Sequence, residues 1–413
     1  MPRERGVDHT LAFLREGYRF IGNRCRRYGS DIFETRLMLR RVVCMQGPEA
    51  AELVYTGDRF TRVGAMPPLV LRLLQDIGSV QQLDGAEHRH RKDLFLKMGQ
   101  PTSAAILAAH MAREWKKRLG HWQEAGRIVL FDEVTEVIAR ATAAWAGLRL
   151  NDAEAKLRTK ELSEMVEATG AVGPRKLRAL LLRRRCERWA QEVIRQVRAG
   201  ELPVAADSAV GMIASYQNGE GEPLDVQTAA VELLNVLRPT VAVGHFIVFA
   251  ALALHEHSEV RQRIVQGDDD YLSAFVEEVR RTSPFFPFVG GRAREEIEWR
   301  DIRFAKDAWV LLDLYGTNRD SRAWPDPDAF MPERFLLRPP SPFEHIPQGA
   351  GEVESTHRCP GEPITIALMK TAARLLSTSM RYEVPPQDLS VDLTHIPALP
   401  KSGFVISDIS EAH

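Results

Sequence analysis

The hydrophobic and polar positions divide the chain into parts with different periodicities. Residues 30–60 contain short apolar runs such as RRVVCM, which indicate a small sheet near the N-terminus. Residues 85–285 are dominated by helical periodicity in stretches rich in Ala, Leu, Glu and Arg. Strand-like runs such as AWVLLDL return between 284 and 335, before an irregular stretch to 358 and a helix over about 363–378. The pattern predicts a mainly helical fold with a small β part.

The sequence has no internal repeat, low-complexity tract or Gly/Ser-rich linker, so we expect a single domain over residues 1–413. The longest apolar run, 240–254, is shorter than the ~18 residues that span a bilayer and contains Gly244 and His245. It predicts a buried helix. The first twenty residues carry charges among their apolar positions, so we expect neither a signal peptide nor a membrane anchor.

Charge balance and cysteine spacing narrow the classes of partner and compartment. The chain carries 55 Lys and Arg against 56 Asp and Glu, so it has no overall basic field and nucleic acid is not a favoured partner. Its cysteines lie far apart without a CxxC pair, which argues against a disulfide framework or a cysteine zinc site. They are Cys25, Cys44, Cys186 and Cys359. We expect a reducing, cytoplasmic setting.

One cysteine lies in a segment suited to a reactive thiolate. Residues 347–363, PQGAGEVESTHRCPGEP, join an irregular, glycine-bearing loop to the start of a helix. Backbone N–H groups and the dipole at a helix N-terminus favour the anionic form of Cys359, which is the form that binds metals. A thiolate bound to haem iron donates electron density that favours O–O cleavage. On this segment alone, an inert buried cysteine is the alternative.

Two further motifs precede that loop. Glu278 and Arg281 lie three residues apart near the end of a helical run that begins near Tyr271, so they share a helix face. In isolation such a pair is an ordinary salt bridge. The segment WPDPDAFMPERF, which contains Arg334, follows roughly fifty residues later and still precedes the cysteine.

The order ExxR, PERF and CPG resembles the cytochrome P450 superfamily. The resemblance implies a triangular helical fold that encloses haem, with Cys359 as the thiolate ligand of the iron. It also implies a buried network of Glu278, Arg281 and Arg334 that supports the cysteine loop.

Basic residues elsewhere are candidates for binding the haem propionates. Residues 85–92, GAEHRHRK, are similar to the superfamily's helix beside the haem, and there His88 and Lys92 lie one turn apart and can donate to carboxylates. Arg62 in RFTRVGAMP is a further candidate. His357 stands two residues before the cysteine, where many superfamily members carry a propionate-binding arginine. Solvated basic side chains are the alternative, above all for Lys92.

Residues 226–257 predict a long apolar helix that lacks the acid-alcohol pair with which O₂-activating superfamily members usually deliver protons. Pro239 removes a backbone donor and crowds the Asn235 carbonyl, so we expect the helix to be interrupted at Arg238-Pro239. Arg238 has no acidic neighbour within one turn of the sequence, and burying a guanidinium requires a partner. That partner is either a remote carboxylate or a substrate carboxylate held bidentately.

The Arg238-Pro239 pair, together with ALALHEH, DLYGTN, IPQG and HRCPGE, resembles the fatty-acid peroxygenase branch of the superfamily. The resemblance implies oxidation of long-chain fatty acids at the α or β carbon, driven by H₂O₂ and without an obligatory redox partner. A carboxylate held by Arg238 near the iron can act as general base and then acid for peroxide, in place of the missing protein pair.

Two residues bear on the product and on the substrate channel. Gln81 stands where this branch carries either glutamine or histidine, and members with histidine resemble decarboxylases that make terminal alkenes. Glutamine cannot donate a proton as histidine does, so Gln81 favours hydroxylation. Phe285 in SPFFPFVGG is expected to line the acyl channel, with core packing as the alternative.

Other functions remain open at this point. A decarboxylase would release terminal alkenes, a conventional monooxygenase would need an electron-transfer partner, and a haem sensor would bind ligands without turnover. A zinc enzyme built on the H-x-H pairs has little support, because the pairs lie far apart and no HExxH motif accompanies them. Those pairs are His88 with His90 and His255 with His257.

Overall fold

The computed structural model describes residues 1–74 and 78–412, without the Leu69 side chain. Within these residues the α-helices are α1 (Thr10–Glu16), α2 (Phe20–Tyr28), α3 (Pro48–Tyr55), α4 (Pro68–Leu74), α5 (Gly85–Met98), α6 (Pro101–Ala125), α7 (Leu130–Trp145), α8 (Asp152–Glu167), α9 (Pro174–Arg198), α10 (Ala209–Ser215), α11 (Val226–Val241), α12 (Gly244–Glu256), α13 (Ser258–Val265), α14 (Asp269–Thr282), α15 (Leu314–Thr317), α16 (Arg334–Leu337) and α17 (Glu362–Arg374). Helix α17 continues into a π-helical turn, Leu375–Ser379.

The strands are few and short: β1 (Ile32–Leu37), β2 (Arg40–Met45), β3 (Phe60–Thr61), β4 (Arg127–Val129), β5 (Phe288–Ala293), β6 (Ile297–Trp299), β7 (Ile302–Phe304), β8 (Trp309–Asp313), β9 (Met380–Glu383) and β10 (Val405–Glu411). They form a five-stranded sheet in the order β1-β2-β8-β5-β3, a three-stranded sheet in the order β4-β10-β9 and a β6-β7 hairpin. The predicted helical fold with a minor β part is confirmed, and the single domain stays a prediction.

The apolar run at the centre of the sequence forms the buried helix that was predicted. Every residue from 244 to 254 of α12 is buried. Within the described residues, Val226–Glu256 is long and apolar enough to cross a membrane by composition, but 89% of its most apolar window lies inside the protein. It is therefore the core helix of the fold.

The central helix is interrupted, but later than the sequence predicts. Helix α11 continues through Pro239 to Val241, and the break falls at Ala242 and Val243 before α12 begins. Pro239 cannot donate to the carbonyl one turn earlier, yet Ala242 still donates to the Arg238 carbonyl at 3.0 Å. The backbone hydrogen bonds then span three residues instead of four, since the Val243 amide donates to the Thr240 carbonyl at 3.1 Å. The expectation of a break at 238–239 is wrong by one turn.

The hydrophobic core connects the central helix with the helix that follows the cysteine loop. Helix α12 packs against α7, α14 and α17. Their shared cluster includes Phe246, Phe275, Leu368 and Phe285. Because α17 begins just after the cysteine loop and α12 follows Arg238 along the central helix, this packing fixes the loop relative to that helix.

Candidate active site

The cysteine loop is held in shape by its own backbone. The Cys359 amide donates to the Gln348 carbonyl at 3.0 Å. Gly349 has φ +103°, and a Cβ there would lie 3.0 Å from the Arg358 Cα, so the position requires glycine. The Cys359 sulfur lies beside Gly361, immediately before α17. The structure thus places the predicted thiol at a helix start, at the end of an irregular loop.

Groups around the sulfur shift the pKa of the Cys359 thiol in both directions. Burial raises the pKa of the Cys359 thiol, and the Glu362 carboxylate raises it further. The Gly361 amide and the nearby cations Lys92 and Arg280 lower this pKa. A metal-bound thiol loses its proton outright, so a raised pKa in the free thiol is compatible with a thiolate ligand.

The three network residues predicted from the ExxR and PERF motifs lie together in the interior. Arg281 donates to both Glu278 oxygens, at 2.7 and 2.8 Å, and Arg334 donates to Glu278 Oε1 at 3.3 Å. Glu278 is fully buried. Arg281 also donates to the Asn318 carbonyl at 2.9 Å, and the Asn318 side chain accepts from the Ile346 amide at 2.8 Å. The network therefore reaches the beginning of the cysteine loop.

A second ionic network, which the motifs did not indicate, binds the cysteine loop more directly. Arg280 donates to Glu362 at 2.7 Å and to the Gln348 side chain at 3.0 Å. Arg358, the residue before the cysteine, donates to the other Glu362 oxygen at 2.8 Å. The available signal was the Arg280-Arg281 pair: adjacent residues on a helix point in different directions, so two buried arginines need two acidic partners.

Three of the four candidate propionate-binding residues lie around one polar cavity beside the loop. The rings of His88 and His357 are 4.1 Å apart between centroids. Arg62 donates to the Gly290 carbonyl and lies over the Tyr55 ring. Arg62, His88 and His357 all line the cavity. Burial lowers the pKa of His88 to about 3, helped by His357 and Lys92, so His88 is neutral near pH 7.

Lys92 is neither solvated nor at the cavity wall. Its ammonium donates to the Arg358 carbonyl at 2.7 Å and to the Thr356 carbonyl, and the residue is 1% exposed. Burial lowers its pKa to about 8. The alternative of a solvated lysine is wrong. In this arrangement Lys92 ties α5 to the cysteine loop.

Asp84 is a member of this cluster that the sequence did not single out. It accepts from Thr61 at 2.5 Å and pairs with Arg294 at 3.0 Å. Its carboxylate lies 3.8 Å from His357 Nε2. Although burial acts in the opposite direction, these hydrogen bonds lower the pKa of Asp84. Asp84 therefore remains an anion beside His357 and favours the orientation in which Nε2 of that ring faces it.

The second cluster surrounds Arg238 on the central helix. Arg238 is 2% exposed, and its Nη2 donates to Asn235 Oδ1 at 2.8 Å and to the Leu74 carbonyl. The Asn235 amide donates to Glu232 at 2.9 Å and to Gln81 Oε1 at 3.3 Å. Glu232, Asn235 and Arg238 follow one another at three-residue intervals, so they form one row on α11.

Glu232 is the buried end of this row. It is fully buried, and it accepts from the Val80 amide at 2.8 Å and from Arg91 at 3.4 Å. Burial raises its pKa, against the influence of Asn235 and Arg91. Because Val80 and Gln81 share one 3₁₀ turn, Glu232 fixes the turn that carries Gln81. Sequence reasoning missed Glu232, although a lone acidic residue in an apolar helix is a recognisable signal.

The structure places Gln81 and Phe285 in different environments. Gln81 is partly exposed and faces α11 through Asn235, so it is more than a surface spacer. Phe285 is 9% exposed and contacts Phe246 and His245, with ring centroids 4.8 and 5.5 Å apart. Phe285 therefore packs on α12, the helix that follows the break.

Comparisons with known proteins agree with this geometry. The family model for Cytochrome P450 matches residues 266–401, which include the ion-pair network and the cysteine loop. Curated relatives include "Putative cytochrome P450 138" from Mycobacterium tuberculosis, 24% identical over 387 residues, covering 87% of this chain and 85% of that protein. "Putative cytochrome P450 120" from Synechocystis sp. is 24% identical over 430 residues, covering 95% and 92%.

Solved structures are more similar. Cytochrome P450SP alpha (CYP152B1) in complex with (R)-ibuprophen is 45% identical, with a TM-score of 0.96 over 98% of this chain and 99% of that one. Cytochrome P450EX alpha (CYP152N1) with myristic acid is 38% identical, and ligand-free cytochrome P450 OleT is 30% identical. Both have a TM-score of 0.96 over 100% of this chain and 99% of theirs.

The chain belongs to the cytochrome P450 family. Within that family it falls in the CYP152 fatty-acid peroxygenase branch, as the sequence resemblance implied. This P450 is a haem-thiolate oxidoreductase. The thiol at a helix start and the neutral and cationic side chains around the adjacent cavity provide the donor set that a haem with two propionates needs.

Proposed function

We propose that this P450 is an H₂O₂-dependent peroxygenase that hydroxylates long-chain fatty acids at the α or β carbon. Arg238 is proposed to bind the substrate carboxylate, and no redox partner is required. The observation that carries the proposal is a buried arginine on the central helix, held by Asn235 beside Gln81. The overall reaction balances as R–H + H₂O₂ → R–OH + H₂O.

Cys359 Sγ would hold haem, and Arg62, His88 and His357 are its proposed propionate-side contacts, whereas Lys92 donates to the Thr356 and Arg358 carbonyls of the cysteine loop. When bound, haem would supply the chemistry by which peroxide oxidises the substrate. Arg238 contributes binding and orientation, because a planar guanidinium has five N–H donors and can hold a carboxylate together with its protein partners.

The proton chemistry follows from where the carboxylate is held. A carboxylate oxygen next to Arg238 accepts a proton from one peroxide oxygen and returns it to the oxygen that leaves as water. The guanidinium keeps this carboxylate ionised until it accepts the proton. Arg238, Pro239 and Gln81 are the residues proposed to surround this step.

The presence of glutamine at position 81 favours hydroxylation over decarboxylation. Its side-chain oxygen accepts from Asn235, and an amide cannot transfer a proton at neutral pH as an imidazole can. Terminal alkene as the main product would contradict this and identify the protein as a decarboxylase.

The test uses the haem-loaded protein with H₂O₂ and a long-chain fatty acid, without any reductase. We expect a thiolate-type ferrous-CO spectrum and hydroxylated acid as the main product. Arg238→Ala should keep the spectrum and lose peroxide-driven oxidation by about a hundredfold or more, since it removes both anchoring and the positioned base. Arg303→Ala, at an exposed strand position, is the matched control and should retain activity.

Each other outcome has a distinct meaning. Full activity in Arg238→Ala would contradict the anchoring role. Turnover that requires a reductase would identify a conventional monooxygenase. A substrate-induced spectral change without turnover under either condition would identify a haem ligand-binding protein.

A further inference from the structure

Helix α9 presents an exposed face on which apolar side chains and arginines follow one another. Leu177 and Leu181 are 64% and 63% exposed, and Val172, just before the helix, is 72% exposed. Arg184 and Arg188 are also exposed and lie at helical spacings from Leu181. Large apolar side chains therefore occupy the first part of this α9 face, and cations occupy the second.

The charge of this helix contrasts with that of the chain. Helix α9 carries nine basic and two acidic residues among 25, although the whole chain has a formal charge of −1. Arg175 and Arg185 pair with carboxylates of α8. Three further exposed arginines make no ion pair or hydrogen bond with residues 1–74 or 78–412: Arg178, Arg184 and Arg188.

We propose that the α9 face binds an anionic lipid surface. A basic amphipathic helix lies at a membrane interface by burying its apolar side chains at the acyl boundary and placing its cations among anionic headgroups. An acidic protein would match the arginines, but it would also need an apolar pocket for Val172, Leu177 and Leu181. A bilayer supplies both environments, so the mixed character of the face favours lipid. Such binding is peripheral and involves no membrane-spanning segment.

The position of this face gives lipid binding a functional consequence. Helix α9 packs against α4, and Arg183 donates to the Leu73 carbonyl at 3.4 Å. The next carbonyl, that of Leu74, accepts from Arg238. The helix that carries the lipid face thus also packs, through its buried side, against the segment that contacts the proposed carboxylate anchor. This step rests on the proposed function: long-chain fatty acids partition into lipid, so docking would bring enzyme and substrate together.

The experiment is co-sedimentation of the haem-loaded, full-length protein with vesicles. Phosphatidylcholine vesicles are compared with vesicles that also contain phosphatidylglycerol. We expect binding only to the anionic vesicles, weakening as salt is added. Arg184→Ser/Arg188→Ser should weaken this binding about thirtyfold, from the usual contribution of a cation near an anionic surface. Leu177→Ser/Leu181→Ser should weaken it roughly tenfold or more.

The matched control removes one exposed cation and one exposed leucine from other surfaces. Leu337 is 85% exposed and Arg303 is exposed on β7, so Arg303→Ser/Leu337→Ser should bind vesicles as the unchanged protein does. All variants should keep the haem spectrum and the oxidation of dissolved fatty acid. Oxidation of fatty acid supplied in anionic vesicles should fall only in the α9 variants.

Three results would overturn the proposal. One is no binding to anionic vesicles, or equal binding by the α9 variants and the control. Another is binding that depends on the arginines but not on the leucines and is competed by polyglutamate, which would indicate an acidic protein partner. The third is a dimer that Leu177→Ser/Leu181→Ser converts to a monomer, which would assign the face to a second copy. Vesicle binding needs no turnover, so absence of peroxygenase activity would reject the proposed function without affecting this result.

Discussion

At the scale of single residues, the notable feature is a polar row on an apolar helix. Asn235 accepts from Arg238 with its oxygen and donates to Glu232 and Gln81 with its nitrogen. The amide oxygen therefore accepts from a cation, while the amide nitrogen donates to an anion and to a neutral amide. A flipped amide would face Arg238 with N–H donors, so Glu232 fixes the orientation in which Asn235 can hold the guanidinium.

This row gives a prediction for substrate binding. Asn235→Ala removes a hydrogen bond to a buried cation, and such bonds contribute about 1.5–3 kcal/mol. We expect fatty-acid binding to weaken about tenfold or more, measured by spectral titration of the haem-loaded protein. Asn235→Asp should weaken it further, because the new carboxylate competes with the substrate for Arg238.

Thr240→Val is the control for that experiment. Thr240 is buried on the same helix, but among residues 1–74 and 78–412 its hydroxyl donates only to the Val236 carbonyl, at 2.7 Å. Its substitution should leave fatty-acid affinity close to that of the unchanged protein. An unchanged affinity in Asn235→Ala would show that Arg238 does not depend on the row.

At the scale of elements, Pro239 removes a hydrogen bond from the central helix but does not end it. Pro239 loses one backbone hydrogen bond, but α11 continues to Val241 and the path changes only where the bonds shorten to three-residue spacing. After the break, His245 contacts the Ala242 carbonyl at 3.0 Å and Glu167 at 2.6 Å. The Ala242 carbonyl also accepts from the His245 amide at 3.1 Å, so the side chain adds a contact to a carbonyl that the backbone already satisfies.

Pro239→Ala tests the role of this proline. The substitution restores a backbone donor, and an interior proline costs a helix about 3 kcal/mol relative to alanine. The loss of proline's rigidity in the unfolded chain costs less, about 1 kcal/mol. We therefore expect a higher thermal midpoint together with slower fatty-acid oxidation, because the restored hydrogen bond to the Asn235 carbonyl would tighten the helix around Arg238.

Pro101→Ala provides the comparison, since Pro101 lies in the first turn of α6, where no intrahelical donor is missing. Its thermal midpoint should not rise. A Pro239→Ala variant with a raised midpoint and full activity would show that the hydrogen bond missing at Pro239 does not matter for turnover.

At the scale of the whole molecule, the sequence predicts the architecture and the anchors of the site better than the contacts between them. The helical periodicity and the motif around Cys359 depend on local spacing, so both are readable from the chain. The Arg280–Glu362 pair joins residues 82 positions apart, and the Lys92 contacts with the loop span more than 260. No local pattern specifies such partners, because tertiary packing selects them among many similar charged residues.

A last prediction concerns the contribution of such long-range ion pairs to stability and haem binding. Glu278 is the shared acidic partner of Arg281 and Arg334, and all three belong to an interior network that reaches the cysteine loop. Glu278→Gln leaves two arginines without their carboxylate, and breaking a buried pair costs about 3–5 kcal/mol. We expect a lower urea midpoint and reduced haem content. Glu278→Asp, which keeps the charge, should recover part of both.

The control for this prediction is an exposed pair of the same chemistry. Glu298 pairs with Arg303 at 2.7 Å, with both side chains more than two-thirds exposed, so Glu298→Gln should change stability by less than about 1 kcal/mol. A Glu278→Gln variant with unchanged urea midpoint and haem content would mean that the loop is held without this network. The second network, from Arg280 through Glu362 to Arg358, would then be the support to remove next, because it includes Arg358, directly before Cys359, and Glu362, three residues after it.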